Sequence, residues 1–377
     1  MLRPRASDLA ILAAEEARKD LPCTVTPVKP VLGFDFRFRA GYEVTVPLKE
    51  LADQAGRLVM VFQVVAAGHP DQPFYLWQRL SVPQIEGDAK GGADLQGAFS
   101  VGEGKYHVSW LMRDRSGRVC SSSWDMEASL PSRDKPMPLD IAPDTVLSIE
   151  LDPFREDPAV QRTGQADGLD LKVIVNFAPQ DSSAAVLGAA DADALLSILR
   201  SMARDPRVKK FSLVVFNMQE QRVIYRQEEA SRIDFPALGK TVKALKLGRI
   251  DVKRLAQKHA DAEFLAGLMT AEIRGNPDQP DAVIIAGPKV AMDDALPADA
   301  LRQLGEVKFP VFYMDFNLDP TANPWRDAIG NAVRALKGAE YAISRPRDVF
   351  FAWSEIAGRI VKSKFGKTVT ATGSPGQ

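Results

Sequence analysis

At 377 residues, with 45% hydrophobic and 26% charged side chains, the chain is too long for one ordinary core and has enough apolar residues for two. Its formal net charge is -1, and Lys and Arg alternate with Asp and Glu along its length, so it lacks the basic groove interleaved with aromatics that would track phosphates. Nucleic acid is therefore not an expected partner, and no apolar stretch approaches the roughly 18 residues of a membrane-spanning helix.

In residues 1–21, Arg3 and Arg5 precede a small apolar run from Leu9 to Ala14, but Asp8 interrupts it and Glu15 and Glu16 follow at once. That is a poor export signal. The pattern predicts a short helix capped by Ser7 and ending near Asp20, where Pro22 stops it. An export signal upstream of this start stays open.

Residues 22–130 alternate apolar and polar side chains with turn residues at short intervals, which predicts an all-β domain. Phe34, Phe36 and Phe38 alternate with Asp35, Arg37 and Arg39, so a half-buried strand is expected there. Further strands are expected at 44–46, 58–65 and 74–82. The last three, 95–101, 105–113 and 118–128, are joined by Gly102-Glu103-Gly104 and by Asp114-Arg115-Ser116-Gly117, and predict an antiparallel meander. Tyr106, Val108, Trp110 and Met112 then share one face, as do Cys120, Ser122, Trp124 and Met126 on the next strand. The stretch "GEGKYHVSWLMRDRSGRV", with a Trp on a strand near a Cys, resembles an immunoglobulin-like or fibronectin-type β-sandwich. That resemblance implies adhesion, spacing or presentation rather than chemistry. Cys23 and Cys120 are the only two cysteines. A disulfide in an exported protein and two buried thiols in a cytosolic one look the same in sequence.

Residues 131–168 hold six prolines between 131 and 158, many charges and few large apolar side chains, and read as a linker with one short strand near 146–151. After Gly168 the period changes. Residues 171–177 form a nearly continuous apolar run, as expected of a strand covered on both faces. A helix is expected at 191–203, a second buried strand at 211–216, and a hairpin through Gln219-Glu220-Gln221 into an antiparallel strand at 222–227. Helices at 235–245, 252–273, 298–304, 325–336 and 349–361 then alternate with strands at 282–286, 311–316 and 341–343. The expectation is a doubly wound α/β domain with a mostly parallel sheet over 169–364, followed by a disordered tail at 365–377.

This order resembles the von Willebrand factor type A domain over residues 169–362. In that family a divalent cation sits at the carboxyl ends of the strands, held by an Asp-x-Ser-x-Ser motif, a Thr and a further Asp. Here "VIVNFAPQDSS" puts Asn176, Ala178 and Gln180 at the motif positions, "LGRIDV" puts Ile250 where Thr would be, and "DAVIIAGPK" puts Ala286 and Gly287 at the Thr-Asp pair. The resemblance therefore implies a degenerate domain that has lost its ion and needs no cofactor. Asp181 and Asp251 could form a shifted site, but loop acids of this kind are ordinarily solvated.

No other chemistry assembles. His69, His107 and His259 fall in different regions, Gly-x-Ser-x-Gly is absent, and "AGPK" lacks the spacing of a phosphate cradle. The loop "DFNLDPTANPW" follows a buried strand at the edge where α/β sheets bind ligands. Its Asp315, Asn317 and Asp319 depart from a calcium loop, and Asp319 and Asn323 suit turn and cap roles before a helix at Pro324-Trp325. The candidate partner-binding face is accordingly Asn176, Gln180, Asp181, Arg249, Asp251, Asp315 and Asn317. The expected function is a non-catalytic interaction protein with a protein partner, acting outside the cytoplasm. The alternative is a small-molecule binder or enzyme using the same edge.

Overall fold

The computed structural model describes residues 5–52, 56–87, 89–150, 152–162, 168–181, 183–245, 247, 259–274, 279–290, 292 and 307–366. The chain divides into two compact units, Met1–Leu151 and Asp152–Gln377. It is thus multidomain, with an all-β first part. Among the described residues no helix is long and apolar enough to cross a membrane.

The first unit contains α1 (Ala6–Ala14), β1 (Thr24–Leu32), β2 (Phe38–Pro47), α2 (Leu48–Leu51), β3 (Gly56–Ala66), β4 (Phe74–Val82), β5 (Gly92–Val101), β6 (Gly104–Arg113), β7 (Val119–Ala128) and β8 (Val146–Ser148). The strands form two four-stranded sheets, ordered β1-β2-β5-β8 and β4-β3-β6-β7. Period-two alternation sends one side chain in two inward, and the inner rows of the two sheets meet as aromatics. Tyr42 lies 5.7 Å from Phe62 and 5.1 Å from Trp110, and Phe62 lies 5.5 Å from Phe99, centroid to centroid. Cys23, one residue ahead of β1, is disulfide-bonded to Cys120 on β7.

Four expectations are corrected here. The first helix starts after Arg5 and stops at Ala14, because Asp8 accepts from the Arg5 amide and is fixed by Arg113 at 3.0 Å, so Ser7 lies inside it. Gly33–Arg37 is the turn between β1 and β2 rather than a strand, with Phe36 in the left-handed region at φ 56, and only Phe38 of the three aromatics is buried. Gly102-Glu103-Gly104 does not close a hairpin: β5 pairs with β2 and β8, β6 with β3 and β7, so the chain changes sheets at this corner. Gly104 needs its glycine for φ 155, and a Cβ on Gly102 would lie 2.0 Å from the Ala142 carbonyl oxygen. Finally, 131–168 is largely not a free linker. Met137 and Ile141 are buried and β8 pairs with β5 in the first unit. In the second, Phe154 is buried beside Gly239, and Asp157 pairs with Arg200 and Arg204, each at 3.0 Å. Widely spaced apolar anchors hold a segment whose composition is otherwise that of a linker.

The second unit contains β9 (Leu169–Asn176), α3 (Ala189–Ala203), β10 (Val208–Asn217), β11 (Arg222–Ala230), α4 (Phe235–Lys243), α5 (Ala260–Arg274), β12 (Ala282–Pro288), β13 (Val311–Phe316), α6 (Ala328–Ala335), β14 (Ala339–Ile343) and α7 (Pro346–Phe365). The sheet order is β11-β10-β9-β12-β13-β14, with β11 antiparallel and the rest parallel. Its central strands are largely apolar on both faces because helices cover both, and Lys172 on β9 is buried as an ion pair with Glu272 at 2.8 Å. Ile174, Val214, Ile285 and Tyr313 pack under α5 and α6, through Leu265, Met269, Ile329 and Val333. The opposite face meets α3, which also packs against α7. The helix expected from Trp325 begins only at Ala328, because Asp327 is its cap, accepting from the Gly330 amide at 2.7 Å. The helix at 298–304, the first part of the one at 252–273, and the tail beyond 366 lie outside the described residues.

Candidate functional site

In a parallel sheet every strand delivers its last residue to the same edge, so the loops after β9, β10, β12 and β13 gather there. On β13, Tyr313 and Asp315 share the face covered by α6. Asp315 pairs in register with Gly287 on one side and Ala342 on the other, neither of which carries a polar side chain. Gly287 has φ 152, and a Cβ there would lie 2.7 Å from Asn176 Cβ, so the end of β9 closes tightly on the end of β12.

The carboxyl of Asp315 is therefore buried. Its Oδ2 lies 3.7 Å from Lys289 Nζ, and among the described residues its Oδ1 has no hydrogen-bond partner. Burial pushes its pKa up to about 7; Lys289 pulls it down, and the nearby Asp327 and Glu340 push it up again. Lys289 Nζ donates to the Asn323 carbonyl at 2.8 Å and to the Trp325 carbonyl, and sits 5.3 Å from the Trp325 ring. Three acceptors surround its three donors, which makes it a clamp on the loop 317–327. Asp327 accepts from the Val290 amide at 2.8 Å and from the Tyr313 hydroxyl at 3.1 Å; burial raises its pKa against these bonds.

Amide side chains stitch the remaining loops together. Asn176 Oδ1 accepts from the Met218 amide at 3.1 Å. Asn217 Nδ2 donates to the Phe177 carbonyl at 2.5 Å, and its Oδ1 accepts from the Glu220 amide at 2.8 Å. Gln180 Oε1 accepts from the Leu318 amide at 3.0 Å, with its Nε2 3.5 Å from Asn317 Oδ1. Asn317 Nδ2 donates to the Asn323 carbonyl at 3.0 Å. Asp181 is exposed and accepts from the Ser183 amide and hydroxyl at 2.9 and 2.7 Å, which hold its carboxyl below the usual range. Asp319 does the same for Thr321 and Ala322, the turn role expected of it. Beside the exposed Asp181 and Asp319, these loops hold three large apolar side chains out to solvent: Val186 is 71% exposed, Leu318 39% and Trp325 40%.

The fold thus brings Asn176, Gln180, Asp181, Asp315 and Asn317 to one edge, with Gln180 and Asn317 in contact; Arg249 and Asp251 lie outside the described residues. Asn176 and Gln180 accept from the backbone of neighbouring loops, and Asn317 donates to the backbone of its own. Among the described residues no group of three or more His, Cys, Asp and Glu could hold a metal. Sequence reading missed Lys289, Tyr313, Asp327 and the exposed Val186, Leu318 and Trp325. A lysine two residues beyond a glycine at the end of a buried strand, and an Asp ahead of an amphipathic helix, were the available signals. His107 is held by Asp125 at 2.7 Å and Glu15 at 3.3 Å, away from any catalytic partner set expected of it, and Cys120 is bonded to Cys23.

No protein-family model matches the chain, and no curated protein does. Solved structures superpose only loosely. A glycosyl hydrolase family 2 member from Bacteroides cellulosilyticus DSM 14838 is 10% identical, with 86% of this chain and 39% of that chain covered and a TM-score of 0.21. The Bacteroides uniformis beta-glucuronidase is 10% identical, with 84% and 38% covered and a TM-score of 0.17. The Paenibacillus cycloisomaltooligosaccharide glucanotransferase is 9% identical, with 80% and 45% covered and a TM-score of 0.20. The chain spans less than half the length of each. Superpositions this loose assign neither fold nor activity.

Proposed function

We propose that the chain is a non-catalytic interaction protein, a β-sandwich followed by a type A-like α/β domain without an ion site, and that it meets a protein partner through the carboxyl edge of the second unit's sheet. One observation carries this reading. The edge turns its amides inward, onto the backbone of its own loops, and leaves Val186, Leu318 and Trp325 exposed. Large apolar side chains held out on fixed loops suit a protein surface better than a small polar ligand. The type A-like assignment is supported by the sheet order, which runs third, second, first, fourth, fifth, sixth strand of the unit with the third antiparallel. The Cys23–Cys120 disulfide supports a place outside the cytoplasm, where such bonds persist.

The test is site-specific photo-crosslinking in the native host. A photoreactive residue at Leu318 or Val186 is expected to capture a discrete protein that the same residue at Pro206, at the amino end of β10, does not. Equal capture from both edges, or none from either, would refute the proposal. The second reading, a small-molecule binder or enzyme at the same edge, draws on Asp315, whose carboxyl titrates near neutrality as a general acid or base would. Lys289 and the loop it clamps lie over that carboxyl, which favours the first reading.

A further inference from the structure

The two sheets of the first unit have four edges, and among the described residues three of them are blocked by different devices. β1 carries Pro27 and Pro30 and a register shift between Val28 and Val31. β8 is three residues long. β7 is covered by the chain ahead of β1: the Ser121 amide donates to the Arg18 carbonyl at 2.9 Å, the Leu21 amide to the Val119 carbonyl at 3.0 Å, and Lys19 bridges to Cys120. Such devices keep an edge from pairing with another chain. Among the described residues the fourth edge, β4, has none of them and pairs only with β3. It is nine residues long, has no proline, and carries Trp77 at 42% exposure.

We propose that β4 is a self-association edge, on which a second copy of this chain pairs antiparallel through the same strand. The sequence Phe-Tyr-Leu-Trp-Gln-Arg-Leu-Ser-Val is complementary to itself about Gln78. A two-fold axis there sets the exposed Trp77 against Arg79 of the second copy, and its Arg79 against Trp77, so each indole meets a guanidinium across the strands. Leu76 falls opposite Leu80, both half-buried on the inner face. Parallel, in-register pairing would instead set Arg79 against Arg79, the only charge in the strand, and is disfavoured. Trp77 already sits beside Val61, whose neighbours Leu111 and Leu12 form the small apolar cluster under α1, so pairing extends that covered surface across the axis. A two-fold contact of this kind closes on itself and yields a dimer rather than a fibre. This inference is independent of the edge discussed above, because it concerns the other unit.

The test is sedimentation of the full chain over a concentration series, with native, Trp77→Arg and Trp77→Arg/Arg79→Glu proteins. A monomer–dimer equilibrium is expected for the native chain. Trp77→Arg, which sets two guanidinium groups together twice per interface, is expected to weaken it by at least about tenfold. The double variant, which pairs opposite charges in the same register, is expected to recover most of that loss. A native chain that stays monomeric at every concentration, a dimer that Trp77→Arg leaves intact, or a double variant that does not recover would each overturn the proposal. Far-UV dichroism checks the fold. Should Trp77→Arg not fold, Trp77→Cys mixed with Arg79→Cys must cross-link faster than either alone, and failure to do so overturns the register.

Discussion

Asp315→Asn is expected to stabilise the second unit, and by an amount that grows with pH. The buried carboxyl has its pKa raised from 3.8 to about 7. Well below pH 3.8 both the folded and unfolded chains carry the proton, so ionisation costs the fold nothing. As pH rises toward 7 the unfolded chain releases the proton while the fold retains it, and stability falls by about 1.4 kcal/mol per unit. The full loss, reached once pH exceeds the folded value, is about 4 kcal/mol. Asparagine keeps the shape and cannot ionise, so it escapes the loss, although Lys289 gives up its carboxylate neighbour and retains the Asn323 and Trp325 carbonyls. Urea unfolding of both proteins at pH 4.5, 6, 7 and 8 reads the difference, in which titrations common to the two cancel. A gap of about 1 kcal/mol at pH 4.5 that widens to about 4 kcal/mol by pH 8 is expected. A gap that is constant with pH, or a variant less stable at pH 8, would refute the argument.

Reducing Cys23–Cys120, which closes a span of 97 residues, is expected to lower the stability of the first unit by about 4 kcal/mol and leave the second unit's transition in place, as two-phase urea unfolding would record. Gly287→Ala puts a Cβ where φ is 152 and Asn176 Cβ is 2.7 Å away, so a loss of about 2–3 kcal/mol should appear as a lowered melting temperature; an unchanged one would mean that the strand ends are looser than described. Gln180→Ala removes the acceptor of the Leu318 amide, and hydrogen exchange at that amide should accelerate by about fivefold with little change in global unfolding.

Much of the architecture was legible because local pattern and tertiary burial agree. The apolar run through Ile174 could only be a strand covered on both faces, and 311–316 was delimited by the turn residues on either side. The failures occur where two tertiary outcomes share one local chemistry. A glycine-rich corner such as Gly102-Glu103-Gly104 serves a hairpin or a change of sheet equally well, and only the approach of Ala142 distinguishes them. Phe34 and Phe36 mimic strand alternation, but Phe36 takes a left-handed turn conformation. A segment with six prolines resembles a linker until Met137, Ile141 and Phe154 find their separate cores. At the candidate site the residue types were read from sequence, but of their duties only the turn role of Asp319 was. Whether an Asn or Gln oxygen is free for a partner depends on which backbone amide of another loop reaches it, as Met218 reaches Asn176 and Leu318 reaches Gln180. Lys289 was weighed only as part of a phosphate cradle, because a clamp made of two carbonyls and a carboxylate has no sequence motif.

The central claim, that this edge meets its partner through side chains and backbone alone, is tested most directly by anomalous diffraction from crystals soaked in manganese, a dication that oxygen ligands would capture. The account predicts no anomalous peak among the loops after β9 and β13. A peak liganded by Asp181, Asp251 or Asp315 would contradict it.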